Sequence, residues 1–595
     1  MALTSKTDDA AVSVDASGTA SSPRPRNGGR ARYIGLVGAA VLIAVLARPM
    51  VIGRTFVGWD WYPHQWFIWH QAESLKATGL PTLFAHDFSG VFVPHFAFYG
   101  GTLYALAGAL TLVTGDAGSA MVILIILGFA ACYAGWYWLA RQCGLGVWWA
   151  HVPGALFISA PYYLAMIYAN GSLHEFVAIS VIPPLIASVA SIVRADRLRA
   201  VPAAVLAVST TLLTGSHNIT LLWGTTMLAL VAVLLLAVVP AWRRAVTLVA
   251  VLRVAGVVVP AVLVNGWFLL PDIAYQSHTL IANLDFAHEQ DLIWGQTLVQ
   301  PRDLFSLGRA NATFDYQHMA LQLPLLGVAW IVLGLVFLRS AWRTSWYRVI
   351  VFLVALMTVL VVMMRRISLI EALPRPYDLL QFSYRLETYI LLAFAGAVIG
   401  VLSLLRHGTR KKAMWAWVLV PVLAWSIAGA VDQLRQRPPS GLPPVTAALP
   451  YNGSAVPPGG PDYSSSDPPL VAVDPNVAVV RFPADGERGD PAKVTVNALP
   501  GDNLQTNIIT MPQLVHLDGA RFVARQNLGQ AVVQVSKDAN PGAAVITLRA
   551  AHPWPVVGGT ILSLVGLAGL ALNGVAIAMG ARRRRHATRT APSTS

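Results

Sequence analysis

The sequence predicts an all-α polytopic membrane protein of about twelve to thirteen spanning helices, with a small β-rich domain set before the last of them. Three observations predict this class. First, 55% of the 595 residues are hydrophobic and only 12% are charged, with a mean hydropathy of +0.58. Soluble chains carry about 25% charged residues, so too little polar surface is available to cover a water-soluble particle of this size. Second, apolar runs of about 20 residues, enough to cross a bilayer, recur along the chain. Third, the net charge of +14 is gathered in short clusters between those runs: Arg24 to Arg32, Arg194 to Arg199, Arg243 with Arg244, Arg339 to Arg348, Arg406 to Lys412 and Arg582 to Arg585. That is the positive-inside pattern of cytoplasmic loops. A nucleic-acid binder would instead gather its basic residues on one face of a folded domain.

The elements follow in chain order. Residues 1–32, rich in Ser, Ala, Asp and Arg, read as a disordered cytoplasmic tail. The run 33–53 spans and is retained as an anchor, because no small-residue cleavage site follows it. Further spans are expected at 97–114, 118–140, 147–168, 175–193, 200–215, 218–240, 246–270, 322–338, 347–364, 386–405, 414–432 and 556–580. The segment 97–114 is short and glycine-rich. Leaving it out puts every basic cluster and both termini in the cytoplasm, with Arg365 and Arg366 outside against the rule. The outer side then carries the loop 54–96, the turns at Tyr168 to Glu175 and Ser216 to Asn218, and the loops 271–321 and 365–385.

Residues 433–554 depart from this pattern. A Pro/Gly/Ser-rich stretch leads into short alternating runs: Val471 to Val473, Val477 to Phe482, Lys493 to Val496, Arg521 to Val523, Ala531 to Val535 and Ala544 to Leu548. Period-two alternation between turn residues reads as a small extracytoplasmic β domain. A final helix at 555–580 and a basic cytoplasmic tail at 581–595 complete the chain. The two cysteines, Cys132 and Cys143, lie in or beside one apolar segment and make no metal-type spacing.

Chemistry concentrates on the outer side. Gly58-Trp59-Asp60-Trp61-Tyr62-Pro63-His64-Gln65-Trp66 places an acid just past the first span, amid aromatics and histidines. Residues 62–76 suit an interfacial helix, with His64, Phe67 and Ile68 on one face. The tryptophans alone fit an aromatic belt, but Asp60, His64 and His70 do not. A carboxylate here suits a general base beside a lipid-borne substrate, since a hydroxyl nucleophile needs a proton acceptor. With His86, Asp87 and His95 it also suits a divalent cation, the one cofactor these groups imply. Ser172-Leu173-His174-Glu175-Phe176 opens an apolar helix with a carboxylate, which either meets the helix dipole or faces a polar cavity. Gly215-Ser216-His217-Asn218 is a sharp turn between two spans, and Asn265 to Asp272 closes another at the outer face. Gln381-Phe382-Ser383-Tyr384-Arg385 begins a span, and Arg385 either snorkels to lipid phosphate or clamps a substrate phosphate. No nucleotide-binding loop is present, so an activated group has to come from elsewhere, such as a lipid-linked donor.

In order, these stretches resemble multi-spanning proteins of the glycosyltransferase C superfamily, nearest to the "6-pyruvoyl-tetrahydropterin synthase-related" and YfhO-like membrane proteins. Ser172 to Phe176 resembles their outer turn ending in Glu. Ser216-His217 resembles their Ser-His turn. Trp267-Phe268-Leu269-Leu270-Pro271 resembles a "WLLPA"-like segment. Gln381 to Arg385 resembles a "QFPWR"-like one, with Ser383 and Tyr384 in place of Pro and Trp. A turn at His516-Leu517-Asp518-Gly519 before a last helix from Gly558 to Gly580 is similar to the YfhO-like carboxyl end. Many relatives have Gly-Asp or a second acidic residue near this point, where this chain has Gly58-Trp59-Asp60.

The resemblance implies an inverting glycosyltransferase of the cell (inner or plasma) membrane. Its donor would be a sugar on polyprenyl phosphate, and its acceptor a cell-envelope glycan or lipid. Asp60 matches the superfamily's first-loop acid, acting as base or cation ligand, with Asp87 as a second candidate. Arg385 and His217 would then hold the donor phosphate, and His174 and Glu175 would orient sugar hydroxyls. His64 and Gln381 complete the expected substrate-binding set, and the β domain would help recognise the glycan or a partner. Two other classes fit the same polar cavity: a flippase that releases a lipid-linked saccharide unchanged, and a non-catalytic envelope-assembly protein. A transporter places its sites near mid-membrane, whereas these residues collect at the outer edge.

Overall fold

The computed structural model describes residues 27–52, 60–86, 90–168, 170–280, 325–380, 382–406, 410–435, 469–472, 476, 478–483, 491–509, 511–526 and 529–590. Eight of the described helices are long and apolar enough to cross a membrane, and two bent pairs raise this to ten. The chain is a multi-pass membrane protein with a small antiparallel β region before its last helix, as the sequence predicts.

The helices are α1 (Asn27–Val51), α2 (Trp61–Thr78), α3 (His95–Phe98), α4 (Gly101–Thr114), α5 (Ala117–Gln142), α6 (Val147–Ile158), α7 (Pro161–Tyr168), α8 (Leu173–Val193), α9 (Ala200–Thr214), α10 (Asn218–Val238), α11 (Pro240–Ala245), α12 (Leu248–Leu263) and α13 (Gly266–Tyr275). They continue with α14 (Leu325–Phe337), α15 (Ser345–Met364), α16 (Ile367–Glu371), α17 (Glu387–Leu405), α18 (Arg410–Trp417), α19 (Leu419–Arg435) and α20 (Trp554–Thr590).

Burial ranks these helices. The spans at α8 and α17 are 72% and 83% buried inside the protein, whereas the last span is 6% buried. The first two form the centre and α20 faces lipid. In lipid the apolar effect does not separate helices from solvent, so close packing must hold them. Small residues provide it. A Cβ on Gly135 of α5 would fall 2.3 Å from the Pro184 nitrogen in the middle of α8. One on Gly559 of α20 would fall 2.3 Å from the Gly266 carbonyl oxygen. Trp267 N–H donates to Ser563 Oγ at 2.9 Å across the same seam.

Two expected spans are broken. The run 147–168 bends by 46° between α6 and α7, where Ala160 precedes Pro161 and is biased out of the helical region. The run 246–270 bends by 74° at Asn265, between α12 and α13. The segment 97–114 divides at Tyr99-Gly100 into α3 and α4. Helix α4 starts against the Gly215-Ser216 turn, where Leu103 N–H donates to the Gly215 carbonyl. It hands directly to α5, which runs the full depth, so α4 makes no crossing of its own.

Helices α8, α10 and α17 begin at one end of the bundle and finish at the other. Arg141, Arg194, Arg243, Arg244 and Arg406 lie at that other end, where Arg194 Nη1 donates to Gln142 O at 3.1 Å. Arg365 and Arg366 sit exposed at the opposite end, after α15.

Six strands form two three-stranded antiparallel sheets, ordered β1-β6-β3 and β2-β5-β4: β1 (Ala492–Val496), β2 (Asn503–Ile509), β3 (Val515–Asp518), β4 (Ala520–Arg525), β5 (Gln530–Val535) and β6 (Ala544–Ala550). The expected runs at 493–496, 521–523, 531–535 and 544–548 fall within β1, β4, β5 and β6. The runs at 471–473 and 477–482 form no strand among their described residues; Leu470 and Val480 make only isolated bridges. His516 to Asp518, expected as part of a turn, is strand β3, and the turn is confined to Gly519 (φ +83°). The sheets dock on the segment around Val91. Val91 N–H donates to Asn507 O and Ile509 N–H donates to Val91 O, both at 2.8 Å. Phe84, Phe92 and Phe98 share a core with Phe482, Met511 and Leu548.

Candidate functional site

Helix α2 covers the expected interfacial segment, but its tryptophans are not a lipid belt. Trp61 and Trp66 are 1% and 2% exposed and pack into the protein interior. Their large apolar area lets the outer loop fold down onto the bundle as a floor for polar groups.

Asp60 stands immediately before α2. Its backbone N–H donates to Asn170 O at 2.9 Å, so the start of α2 is fastened to the turn that precedes α8. That turn needs Gly171: its φ is +74°, and a Cβ there would come 2.7 Å from Trp61 N. Asn170 Nδ2 in turn donates to Tyr384 Oη at 3.4 Å. Three stretches far apart in sequence, around Asp60, Asn170 and Tyr384, therefore meet through direct bonds.

The charged centre is Arg385. Its Nε lies 3.5 Å from Glu175 Oε2, and both side chains are largely buried, 11% and 2% exposed. Glu175 Oε1 also accepts from Tyr162 Oη at 3.5 Å, and Tyr162 Oη lies 3.1 Å from Thr388 Oγ1. The guanidinium sits 5.1 Å from the Phe382 ring centre. Asp60 shares this field. Its carboxylate reaches solvent, yet protein surrounds it on most sides. Partial desolvation raises its pKa from 3.8 to about 6, and the charge of Arg385 holds it from rising further.

Beside this pair runs a line of imidazoles. His174 Nδ1 and His64 Nε2 are 3.1 Å apart, and His64 Nδ1 bonds Tyr104 Oη at 2.5 Å. His174 Nε2 bonds Tyr99 Oη. The His174 and His217 rings are 4.6 Å apart. Burial pushes His64 and His95 down to about 3, so both rings are neutral at ordinary pH. His217 caps α10: its Nδ1 accepts from Thr220 N–H at 3.3 Å. A neutral ring accepting at Nδ1 carries its proton on Nε2. That nitrogen is buried and has no hydrogen-bond partner among the described residues, leaving a donor for an incoming ligand.

The structure thus brings together Asp60, His64, His174, Glu175, His217 and Arg385. Asp87 and Gln381 lie outside the described residues. Among the described residues no group of three or more His, Cys, Asp or Glu side chains could hold a metal ion. The cation next to Asp60 is Arg385 itself, which opposes a divalent ion there. The Asn265–Asp272 stretch has a supporting place: Asp272 Oδ2 accepts from Asn218 Nδ2 at 2.9 Å and steadies the turn that carries His217.

Sequence reasoning missed Tyr99, Tyr104, Tyr162, Thr388 and Glu387. Tyr104 and Tyr162 stand in apolar helices, Tyr162 beside Tyr163, and Thr388 lies between Glu387 and Tyr389, with no motif spacing to mark any of the three. Glu387, two residues past Arg385, is 1% exposed, and its Oε2 has no partner among the described residues. A carboxylate in an apolar span is the signal that marked it.

No family model and no curated protein matches the chain. Several solved structures align with about two thirds of it. Arabinofuranosyltransferase AftD from Mycobacteria aligns at 16% identity over 67% of this chain and 27% of its own, with a TM-score of 0.38. The oligosaccharyltransferase AglB from Archaeoglobus fulgidus, in complex with an inhibitory peptide and a dolichol-phosphate, aligns at 13% over 68% and 56%, with a TM-score of 0.39. ArnT from Cupriavidus metallidurans, bound to undecaprenyl phosphate, aligns at 15% over 64% and 78%, with a TM-score of 0.30. The chain spans about a quarter of the AftD structure and about half of AglB. Overlap at this level is a loose likeness in helix arrangement.

Proposed function

We propose that this protein is an extracytoplasmic glycosyltransferase that moves a sugar from a polyprenyl-phosphate donor to a hydroxyl of a cell-envelope glycan or lipid. The observation that carries this reading is the joining of Asp60, Glu175 and Arg385 at the end of the bundle opposite its arginine clusters. Under the positive-inside rule that end faces outward and both described termini face the cytoplasm.

The groups divide by chemistry. Asp60 is solvent-accessible with a pKa of about 6, and so is ionised but still basic near neutrality. It takes the proton of the acceptor hydroxyl as that oxygen attacks the anomeric carbon. The bond from that carbon to the lipid phosphate oxygen breaks, and the electron pair leaves with the phosphate. Direct displacement inverts the anomeric centre. Arg385 meets the charge on the departing phosphate, and the His217 Nε2–H donates to it. Glu175 holds the guanidinium in place through the 3.5 Å ion pair. The neutral line His64–His174 orients sugar hydroxyls without competing for the phosphate. Nothing in this scheme requires a metal ion, and the rate gain comes from positioning and charge stabilisation.

The test is transfer of label from a radiolabelled polyprenyl-phosphate sugar to an acceptor by purified protein in nanodiscs. Asp60→Asn should lower the rate about 10²- to 10⁴-fold with unchanged thermal unfolding. Full transfer in that variant removes Asp60 from the mechanism. Movement of intact lipid between leaflets, with no label reaching acceptor, replaces this reading with a flippase.

A further inference from the structure

A cleft lies away from these polar residues. It opens between α5, α8, α10, α15 and α17, contains about 1060 Å³ of empty space including its open side, and is lined almost wholly by apolar side chains such as Ile182, Met227, Leu235 and Leu353. Gly224 and Tyr389 mark its upper end; Arg194, Trp242 and Trp346 mark its lower end. From Gly224 to Leu235 the wall rises ~17 Å at 1.5 Å per residue. That is about half of a ~30 Å hydrocarbon core, the reach of one leaflet.

The two ends differ. At the top the Tyr389 hydroxyl donates to Thr220 O at 3.4 Å and its ring stacks on Trp223. At the bottom Arg194 is the charged residue in the lining, its guanidinium 4.9 Å from the Trp242 ring centre and its side chain exposed. Arg243 and Arg244 stand exposed on the same short helix as Trp242. An apolar slot one leaflet deep, ending in a cation with two indoles and further arginines beside it, matches one class of ligand: acyl chains carrying a phosphate headgroup.

We propose that this cleft binds an anionic glycerophospholipid from the leaflet on the arginine side, with its chains against Met227 and Leu353 and its phosphate on Arg194. The site is separate from the polar cluster, and the proposal does not rest on the transferase reading. The cleft selects by headgroup charge through Arg194 and by chain through its apolar walls.

The experiment uses the full chain in nanodiscs of phosphatidylglycerol and phosphatidylcholine, with retained lipids counted by native mass spectrometry. The wild type should retain phosphatidylglycerol in preference to phosphatidylcholine. Arg194→Gln, an exposed change that leaves thermal unfolding intact, should lower that preference roughly fivefold. Gly224→Leu gives a second arm. A Cβ at Gly224 has its nearest neighbours at 3.7 and 3.9 Å, so the larger side chain enters the cleft without striking backbone. It should reduce retention of both lipids. Equal retention of the two lipids by wild type and Arg194→Gln overturns the proposal. So does one-for-one displacement of phosphatidylglycerol by added polyprenyl phosphate, which would give the cleft to a donor's tail.

Discussion

The two ends of the helical bundle use charge in opposite ways. At the arginine end the cations are mostly exposed: Arg194, Arg243, Arg244 and Arg406 reach solvent or lipid headgroups and bond, where they do, to backbone carbonyls. At the other end Arg365 and Arg366 are exposed, but Arg385 and Glu175 are drawn inward against each other, with His64, His174 and His217 packed beside them. An exposed cation costs little and fixes orientation. A buried pair costs desolvation on both partners and persists only where geometry compensates it. The chain accepts that cost at the Arg385–Glu175 end, which is therefore the end where chemistry is expected.

The largest effect should follow from breaking the buried pair. Arg385→Met leaves Glu175 uncompensated and should destabilise the protein by about 3–5 kcal/mol, read as thermal unfolding in detergent. The double variant with Glu175→Gln should recover much of that loss. Equal losses in single and double variants would mean the pair is not coupled, and the contrast between the ends would weaken.

Next comes the joint between the loops. Gly171→Ala asks a left-handed residue to carry a Cβ placed 2.7 Å from Trp61 N. It should cost about 1–3 kcal/mol and lower transfer by shifting Asp60, with Arg385 untouched. Unchanged activity would show that the Asp60–Asn170 contact does not position the carboxylate.

The pH dependence is subtler. Asp60 titrates near 6 and acts when deprotonated, so activity should rise through an acid limb centred near pH 6 and level above it. Because Arg385 lowers that pKa, Arg385→Gln should move the limb of any residual activity to higher pH. A limb near 4 would place Asp60 in open water. Smallest of all should be Arg244→Gln at the arginine end, within about 0.5 kcal/mol of wild type; a larger loss would erase the distinction drawn above.

Much of this was legible in the sequence because the informative residues occur at the ends of apolar runs, where a helix dipole or a snorkelling arginine explains each one singly but not all of them together. Asp60, His174, Glu175, His217 and Arg385 all stand at such boundaries, and the fold brings those boundaries together. Tyr104, Tyr162 and Thr388 were hidden because a hydroxyl in an apolar helix suits a structural residue equally well, and nothing local shows which hydroxyls meet across the bundle. Trp61 and Trp66 misled for the converse reason: aromatic clusters near a membrane edge suit a lipid belt as well as a protein interior, and only packing distinguishes them. Strand β2 escaped because its edge is completed by Val91, more than 400 residues earlier in the chain, and no local window shows that pairing.

The most direct measurement is a cryo-EM map of the protein with added polyprenyl phosphate. Phosphate density is expected against Arg385, with His217 Nε2 in hydrogen-bonding reach and Asp60 facing the open side. Phosphate density among the arginines at the opposite end, with Arg385 still bound only to Glu175, would contradict it.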